Sequence, residues 1–323
     1  MIRYFVLLAS TFFLLLWSCF PHRYIDIQVL KPAQLSWTHS IDTLFLLEAM
    51  KINQNERSEV NKLLYLKFLY SFNQSLDKNL KESPLLANSV VKSVPYNYLY
   101  ENYRNSSMEE RKHLLLCAVN TINIKDTTYK HEAGEFYNQV TCQAIYHVKV
   151  TISDFINRKS ELTIEDTVFW DSEPIFYAYD IDAFAHDTSE VYVELGDLAG
   201  EKVAKKIAPY WVTDERVIFH ASNKYMRRGY NCFAENDALQ AIQYWQKIYD
   251  SGTRRLAAMA SYNIALSYET LDSLNLSKEW VEKSIKLKKE LVKMRYLRLI
   301  NDRIEEKNKL DKQFELKTKQ KTE

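Results

Sequence analysis

One spacing constrains this chain more than any other feature: small and bulky residues recur 36 positions apart across residues 229–281. Gly229 matches Ala265, Ala241 matches Ser277 and Trp245 matches Val281. A fixed period in this range marks repeated supersecondary units, each of which buries its apolar face only by stacking on a neighbour. Small residues sit where two helices cross closely, with bulky ones beside them. The segment from Ala221 onward therefore reads as paired helices, and Ser251-Gly252-Thr253-Arg254 as the loop between two pairs. Fewer than three such units rarely stand alone, so the pair needs a cap. Lys288–Glu323 supplies one, because Leu291, Met294, Leu297, Ile300 and Ile304 form an apolar helical stripe.

Upstream the pattern changes. Arg23–Leu30 and Ile41–Leu47 have strand composition, interrupted at Lys31-Pro32-Ala33. Ser58–Leu80 reads as a helix, with Leu63, Leu64, Phe68, Leu69, Phe72 and Leu76 near the 3.6-residue period. Ser89–Val94 reads as a strand and Ser107–Asn120 as a helix. Val140–Phe155 alternates in the manner of a strand with one face covered. Glu161–Trp170 and Pro174–Ile181 continue an antiparallel meander. Ser189–Ala208 is a helix whose Gly196, Ala199, Gly200, Ala204 and Ala208 suit close packing on a sheet, and Arg216–His220 is a last strand. The expected fold class is α+β. A mixed α/β domain over residues 31–220, with antiparallel strands, precedes an all-α module over 221–290 and a capping helix with a charged tail over 291–323.

The first residues speak to location. Arg3 followed by the apolar run from Tyr4 to Leu16 has the form of a signal peptide. Leu16-Trp17-Ser18-Cys19 resembles a lipobox, so residues 1–18 are expected to be removed and Cys19 acylated, leaving residues 19–30 as lipidated N-terminus and first strand. Two or three acyl chains anchor stably where one is marginal. Trp17 departs from the small or β-branched residue usual there; an uncleaved anchor over residues 4–20 is the other reading. No acidic run follows Cys19, which favours the periplasmic face of the outer membrane. The other cysteines, Cys117, Cys142 and Cys232, are odd in number and read as buried free thiols.

Three parts of the chain carry a family likeness. The helix Ala257–Glu269 with its partner Ser277–Ser284 resembles a tetratricopeptide repeat. The order of elements, with Val29-Leu30-Lys31-Pro32-Ala33, Ala208-Pro209-Tyr210-Trp211 before Arg216, Ala241 with Trp245, and Tyr262-Asn263-Ile264-Ala265, resembles a family of Bacteroidota envelope lipoproteins ending in such repeats. The resemblance implies a location and an architecture and brings no chemistry with it.

Chemical motifs are sparse. Formal charge is +1, falling to zero once Arg3 leaves with the leader, so the footprint of a nucleic-acid binder is missing. Five glycines in the whole chain leave little for loops that cradle nucleotides. His131-Glu132-Ala133-Gly134-Glu135 lacks the second histidine of a zinc helix. Asp180, Asp182, His186 and Asp187 lack calcium-loop spacing and read as a solvated turn. Trp170, Phe176, Tyr177 and Tyr179 could face a sugar, but an amphipathic strand explains them as well. The chain is expected to take no metal or cofactor.

The leading expectation is a lipid-anchored scaffold or adaptor, without catalysis, that binds a protein or peptide in a groove of the paired helices. The pool of contacts is Tyr230, Tyr244, Trp245, Tyr262, Asn263, Tyr268, Glu269 and Trp280, with Asn263 bonding a bound backbone. Two alternatives remain. One is a regulatory subunit of an envelope or cell-wall enzyme acting through the α/β domain, similar in fold alone to activator lipoproteins of cell-wall synthases. The other is a hydrolase, which requires titratable groups converging in one pocket.

Overall fold

A computed structural model describes residues 22–35, 41–47, 59–86, 89–94, 107, 111, 114–134, 137–154, 159–171, 175–176 and 188–319. The apolar leader and Cys19 lie outside these residues, as do Glu135 and the Asp180–Asp187 cluster. Nothing is described of the side chains of His131 and Cys142. Among the described residues, no helix is long and apolar enough to cross a membrane. The chain is α+β and divides into two compact units: Met1–Lys31 with Trp211–Lys309, and Pro32–Tyr210 with Leu310–Glu323.

The second unit is a six-stranded sheet with two long helices. Strands β2 (Thr43–Leu47), β3 (Val90–Val94), β4 (Leu114–Gly134), β5 (Tyr137–Asp154) and β6 (Lys159–Asp171) lie in the order β3-β2-β4-β5-β6, and the short β7 (Ile175–Phe176) also pairs with β5. β2 is parallel to both its neighbours, while β4, β5 and β6 form an antiparallel meander. A parallel neighbour demands a crossover, and helix α1 (Glu59–Glu82) supplies it between β2 and β3. Along β5, Ala144, Tyr146, Val148, Val150 and Ile152 are fully buried while His147 and Lys149 are exposed. The period of two thus leaves one face covered and one open.

The covering layer is α1 and α2 (Thr188–Ile207), whose Phe68, Phe72, Leu76, Leu195, Ala199 and Val203 join the core with the inward residues of β5. Each large side chain buried in this way contributes about 1.5–3 kcal/mol. The small residues of α2 were expected to pack on a sheet. Gly196 and Gly200 instead meet the backbone of α1. A Cβ on Gly196 would lie 2.4 Å from the Phe68 carbonyl oxygen, and one on Gly200 2.5 Å from that of Phe72. The helices cross there with main chain against main chain.

A second expectation is corrected in this unit. Leu114–Asn120 was read as part of a helix and is the first third of β4. Leu115, Cys117 and Val119 are buried, while Leu114, Leu116 and Ala118 are half-buried, so neither face is polar. A strand clothed on both faces loses its alternation and reads like a buried helix.

The first unit begins with β1 (His22–Lys31), which pairs with β8 (Tyr210–Phe219; Tyr210 itself falls in the second unit). β8 falls within the α/β domain expected over residues 31–220, and β1, but for Lys31, within the separate 19–30 segment; both group with the helices. Five of these follow: α3 (Lys224–Ala234), α4 (Ala238–Ser251), α5 (Arg254–Thr270), α6 (Leu274–Leu287) and α7 (Leu291–Lys319), the last reaching into the second unit. Connections of two or three residues turn the chain back on itself each time.

The 36-residue spacing is visible in the backbone. Among the described residues, Asn236 and Asp272 are the non-glycine residues with positive φ, at 63° and 54°. In the α3–α4 turn the amides of Glu235, Asn236 and Asp237 donate to the carbonyls of Asn231, Phe233 and Cys232. In the α5–α6 turn Leu271, Asp272 and Ser273 donate to Ser267, Glu269 and Tyr268, the same pattern shifted by 36. Asn and Asp are the side chains that best tolerate the left-handed region. The facing pairs differ in volume: Gly229 leaves room for Trp245, whereas Ala265 accompanies the smaller Val281.

Candidate functional site

The buried polar centre of the first unit joins β8 to α5 and α7. Arg216 shares strand parity with Ile218, so it points into the core, where it is 4% exposed. Its Nε donates to both carboxylate oxygens of Glu269 at 3.1 Å, and its Nη2 donates to Oε1 at 2.9 Å. Nη1 donates to the Glu215 carbonyl at 3.1 Å, and Nη2 also reaches Asp214 at 3.3 Å. Tyr296 donates its hydroxyl to Glu269 Oε2 at 2.7 Å. Burial favours discharging Arg216, but the bond to Glu269 and its charge outweigh that and hold the guanidinium above its ordinary pKa. Burial first, and then the Glu269 charge, push the Tyr296 and Tyr262 hydroxyls up. The Glu269 carboxylate thus holds a guanidinium and a phenol of the same unit, an arrangement suited to pinning β8 on the helices.

Asn263 completes that attachment. Its Oδ1 accepts from the Phe219 amide at 2.9 Å and its Nδ2 donates to the Phe219 carbonyl at 2.8 Å. Asn263 was expected to bond a bound partner's backbone; it bonds the chain's own Phe219 instead and is fully buried. Trp245, Tyr262, Asn263 and Glu269 are all at most 4% exposed, so these four of the expected groove contacts are core. Trp245 Nε1 is 3.4 Å from the Met226 carbonyl, and Tyr262 packs edge-on against Phe219 at 4.9 Å. Trp280 is 8% exposed, edge-on to Tyr249 at 5.0 Å and roofed by the Lys283 ammonium at 4.0 Å. Tyr230, Tyr244 and Tyr268 remain half-exposed.

Sequence reasoning missed Arg216 as the hub. The signal was a charged residue on the inward parity of an apolar strand, which needs a buried counter-charge. It also missed Tyr225, which lies 38% exposed on α3 and stacks with Tyr244 of α4 at 6.4 Å. Lys247 stands 5.7 and 5.6 Å from the two rings, and Arg228 stands 5.9 Å from Tyr244. Each such contact is worth about 0.5–1 kcal/mol at an exposed site. Leu239, 63% exposed, lies near the start of α4. The α3–α4 pair thus offers two flat rings, two cations and an aliphatic side chain, a composition suited to a partner with acidic and apolar groups.

The two described cysteines are held as thiols. Cys117 is buried and free, and burial pushes its thiol up to about 12. Cys232, expected to be buried, is half-exposed, with its Sγ 3.4 Å from Gln240 Oε1. Burial first, and then Asp237 and Glu235, raise its pKa, which disfavours the thiolate. Trp170 donates its indole N–H to Glu194. Among the described residues no three His, Cys, Asp or Glu side chains are grouped to hold a metal ion.

Two family descriptions match parts of the chain. "Domain of unknown function (DUF6340)" matches residues 227–311, from within α3 to within α7, and "Domain of unknown function (DUF8603)" matches residues 115–219, from β4 to the end of β8. No curated protein matches. Among solved structures, a neuraminyllactose-binding hemagglutinin homolog from Helicobacter pylori is 13% identical, with 55% of this chain and 88% of that one covered, at a TM-score of 0.28. The PelC dodecamer from Paraburkholderia phytofirmans is 11% identical, with 58% and 99% covered, at a TM-score of 0.23. Likenesses this slight carry no argument about fold or activity.

Proposed function

We propose that the chain is a lipid-anchored envelope scaffold that binds a protein or peptide through its tetratricopeptide-like helices, without catalysing a reaction. The observation that carries this reading is the accessible aromatic and cationic face of the repeated helix pair, with Tyr225 and Tyr244 stacked and flanked by Arg228 and Lys247. Rigid aromatics and arginine contribute more binding energy than other residues at interfaces. The anchor rests on the signal-like leader and on Cys19. The location that goes with this reading is the periplasmic face of the outer membrane, supported by the lack of an acidic run after Cys19.

Two experiments test the two halves separately. Cells fed a palmitate analogue should label the wild-type chain and not Cys19→Ala. A labelled mutant, or an unlabelled wild type retained in the inner membrane, refutes the lipobox. For the binding face, a photo-cross-linker placed at Leu239 in intact envelopes should capture one discrete partner, and the adduct should disappear with Tyr244→Ala and Lys247→Glu. Adducts that survive both changes refute the assignment of this face.

A further inference from the structure

The first turns of α3 gather positive charge. A helix N-terminus already carries partial positive charge, and α3, like α4 to α7, has no acidic residue in its first turn. Lys224, Arg227 and Arg228 take three of its first five positions. A fourth cation arrives from β1, where the Arg23 guanidinium stands 5.6 Å from the Tyr230 ring. Together with His220 and Tyr230 they line an open basin of about 350 Å³. None of the four cations has a carboxylate partner among the described residues, so their charges are free to meet an anion in the basin.

His220 registers the resulting potential. Burial, and then the charges of Arg23 and Arg227, hold its imidazole below the ordinary range. Concentrating unpaired cations at the positive end of a helix costs stability unless an anion answers them. Guanidinium groups match tetrahedral oxyanions in fork geometry, and each makes two charge-assisted hydrogen bonds. A second basic basin, lined by Arg254, Arg255, Lys286, Lys288 and Lys289, is a weaker candidate. There Arg254 Nε is already bonded to the Leu287 carbonyl and Lys288 is paired with Glu290.

We propose that the basin bounded by Arg23, Lys224, Arg227 and Arg228 binds a phosphate group, carried on a lipid headgroup or free in solution. Arg227 and Arg228 hold its oxygens from α3, Arg23 closes on it from β1, and Tyr230 forms the wall. The site shares Arg228 with the partner-binding face, is set apart from it by Arg23 and Arg227, and does not need Cys19 to be acylated.

The test follows the imidazole proton signal of His220 in the full-length chain in maltoside micelles, assigned by comparison with His220→Gln. Inorganic phosphate is one probe; micelles doped with phosphatidylglycerol are the other, with phosphatidylcholine as the neutral control. Binding should raise the His220 pKa saturably. Saturation by inorganic phosphate identifies a free phosphate ligand, and saturation by phosphatidylglycerol alone identifies a headgroup. Arg227→Gln with Arg228→Gln should weaken binding about tenfold per arginine, the scale of a hydrogen bond to a charged group. Should that pair of changes unfold the chain, Arg23→Gln reads the same loss. Lys286→Gln with Lys289→Gln should leave binding as in the wild type. A His220 signal that neither probe shifts saturably overturns the proposal, as does equal weakening by the Lys286 and Lys289 changes.

Discussion

At Glu269 the cost of a single atom group can be read from its partners. Its carboxylate accepts from Arg216 and from Tyr296, and all three side chains are buried. Removing one member of a buried ion pair strands the other, at about 3–5 kcal/mol. Glu269→Ala should therefore lower the urea midpoint sharply, while Arg216→Met combined with Glu269→Leu should restore most of it. A double variant no more stable than Glu269→Ala would show that the pair does more than neutralise itself. His220 gives a pH prediction of definite sign. Its folded pKa lies below the unfolded value, so its contribution is full above the ordinary imidazole range and is lost as pH falls through it. Between pH 7 and pH 5 the wild type should lose more stability than His220→Gln, as read by urea unfolding at each pH. At this scale the sequence separated candidates from bystanders poorly. Asn263 and Tyr244 are both polar-tipped helical residues, but Ala257–Ser267 of α5 is buried on every face, whereas Tyr244 is half-exposed on α4.

Between elements, two glycine positions set how closely helices approach. Gly→Ala in an exposed helix interior gains about 1 kcal/mol. Gly196→Ala should do the opposite, because its methyl would meet the Phe68 carbonyl oxygen of α1. A loss of about 1–3 kcal/mol is expected for such overpacking, and a gain would mean that α1 and α2 can part without penalty. Gly229 and Trp245 form the second case. Gly229→Ala should destabilise, since its Cβ would fall 2.4 Å from the Trp245 indole nitrogen. Adding Trp245→Val recreates the Ala265–Val281 pair of the next repeat, so the two changes together should cost less than the sum of each alone; strict additivity would refute the coupling. Periodicity made these elements legible. The helices at 59–82, 188–207 and from 224 onward and strand β5 follow from their spacing of apolar residues, and β1, β2 and β6 from their strand composition. Leu114–Asn120 did not, because burial on both faces erases the alternation that would distinguish a strand.

On the scale of the whole chain, connectivity was the least legible property. Strands β1 and β8 were each visible locally, but nothing in either stretch says that it pairs with the other rather than with the nearer strands of the sheet. That pairing places the boundaries at Lys31 and Trp211 and makes the first unit discontinuous in sequence. It also has a kinetic consequence. Gln28 and Thr213, bonded side chain to side chain, are 185 positions apart. The meander of β4, β5 and β6 and the short helical hairpins close small loops and can form as soon as they are made. β1 is made first of all the described elements and must wait for β8, the last strand among them. At about 5–20 residues per second of synthesis, that wait is on the order of ten seconds or more. Throughout it, the strand that carries Ile25, Ile27 and Val29 stands unpaired beside the expected anchor.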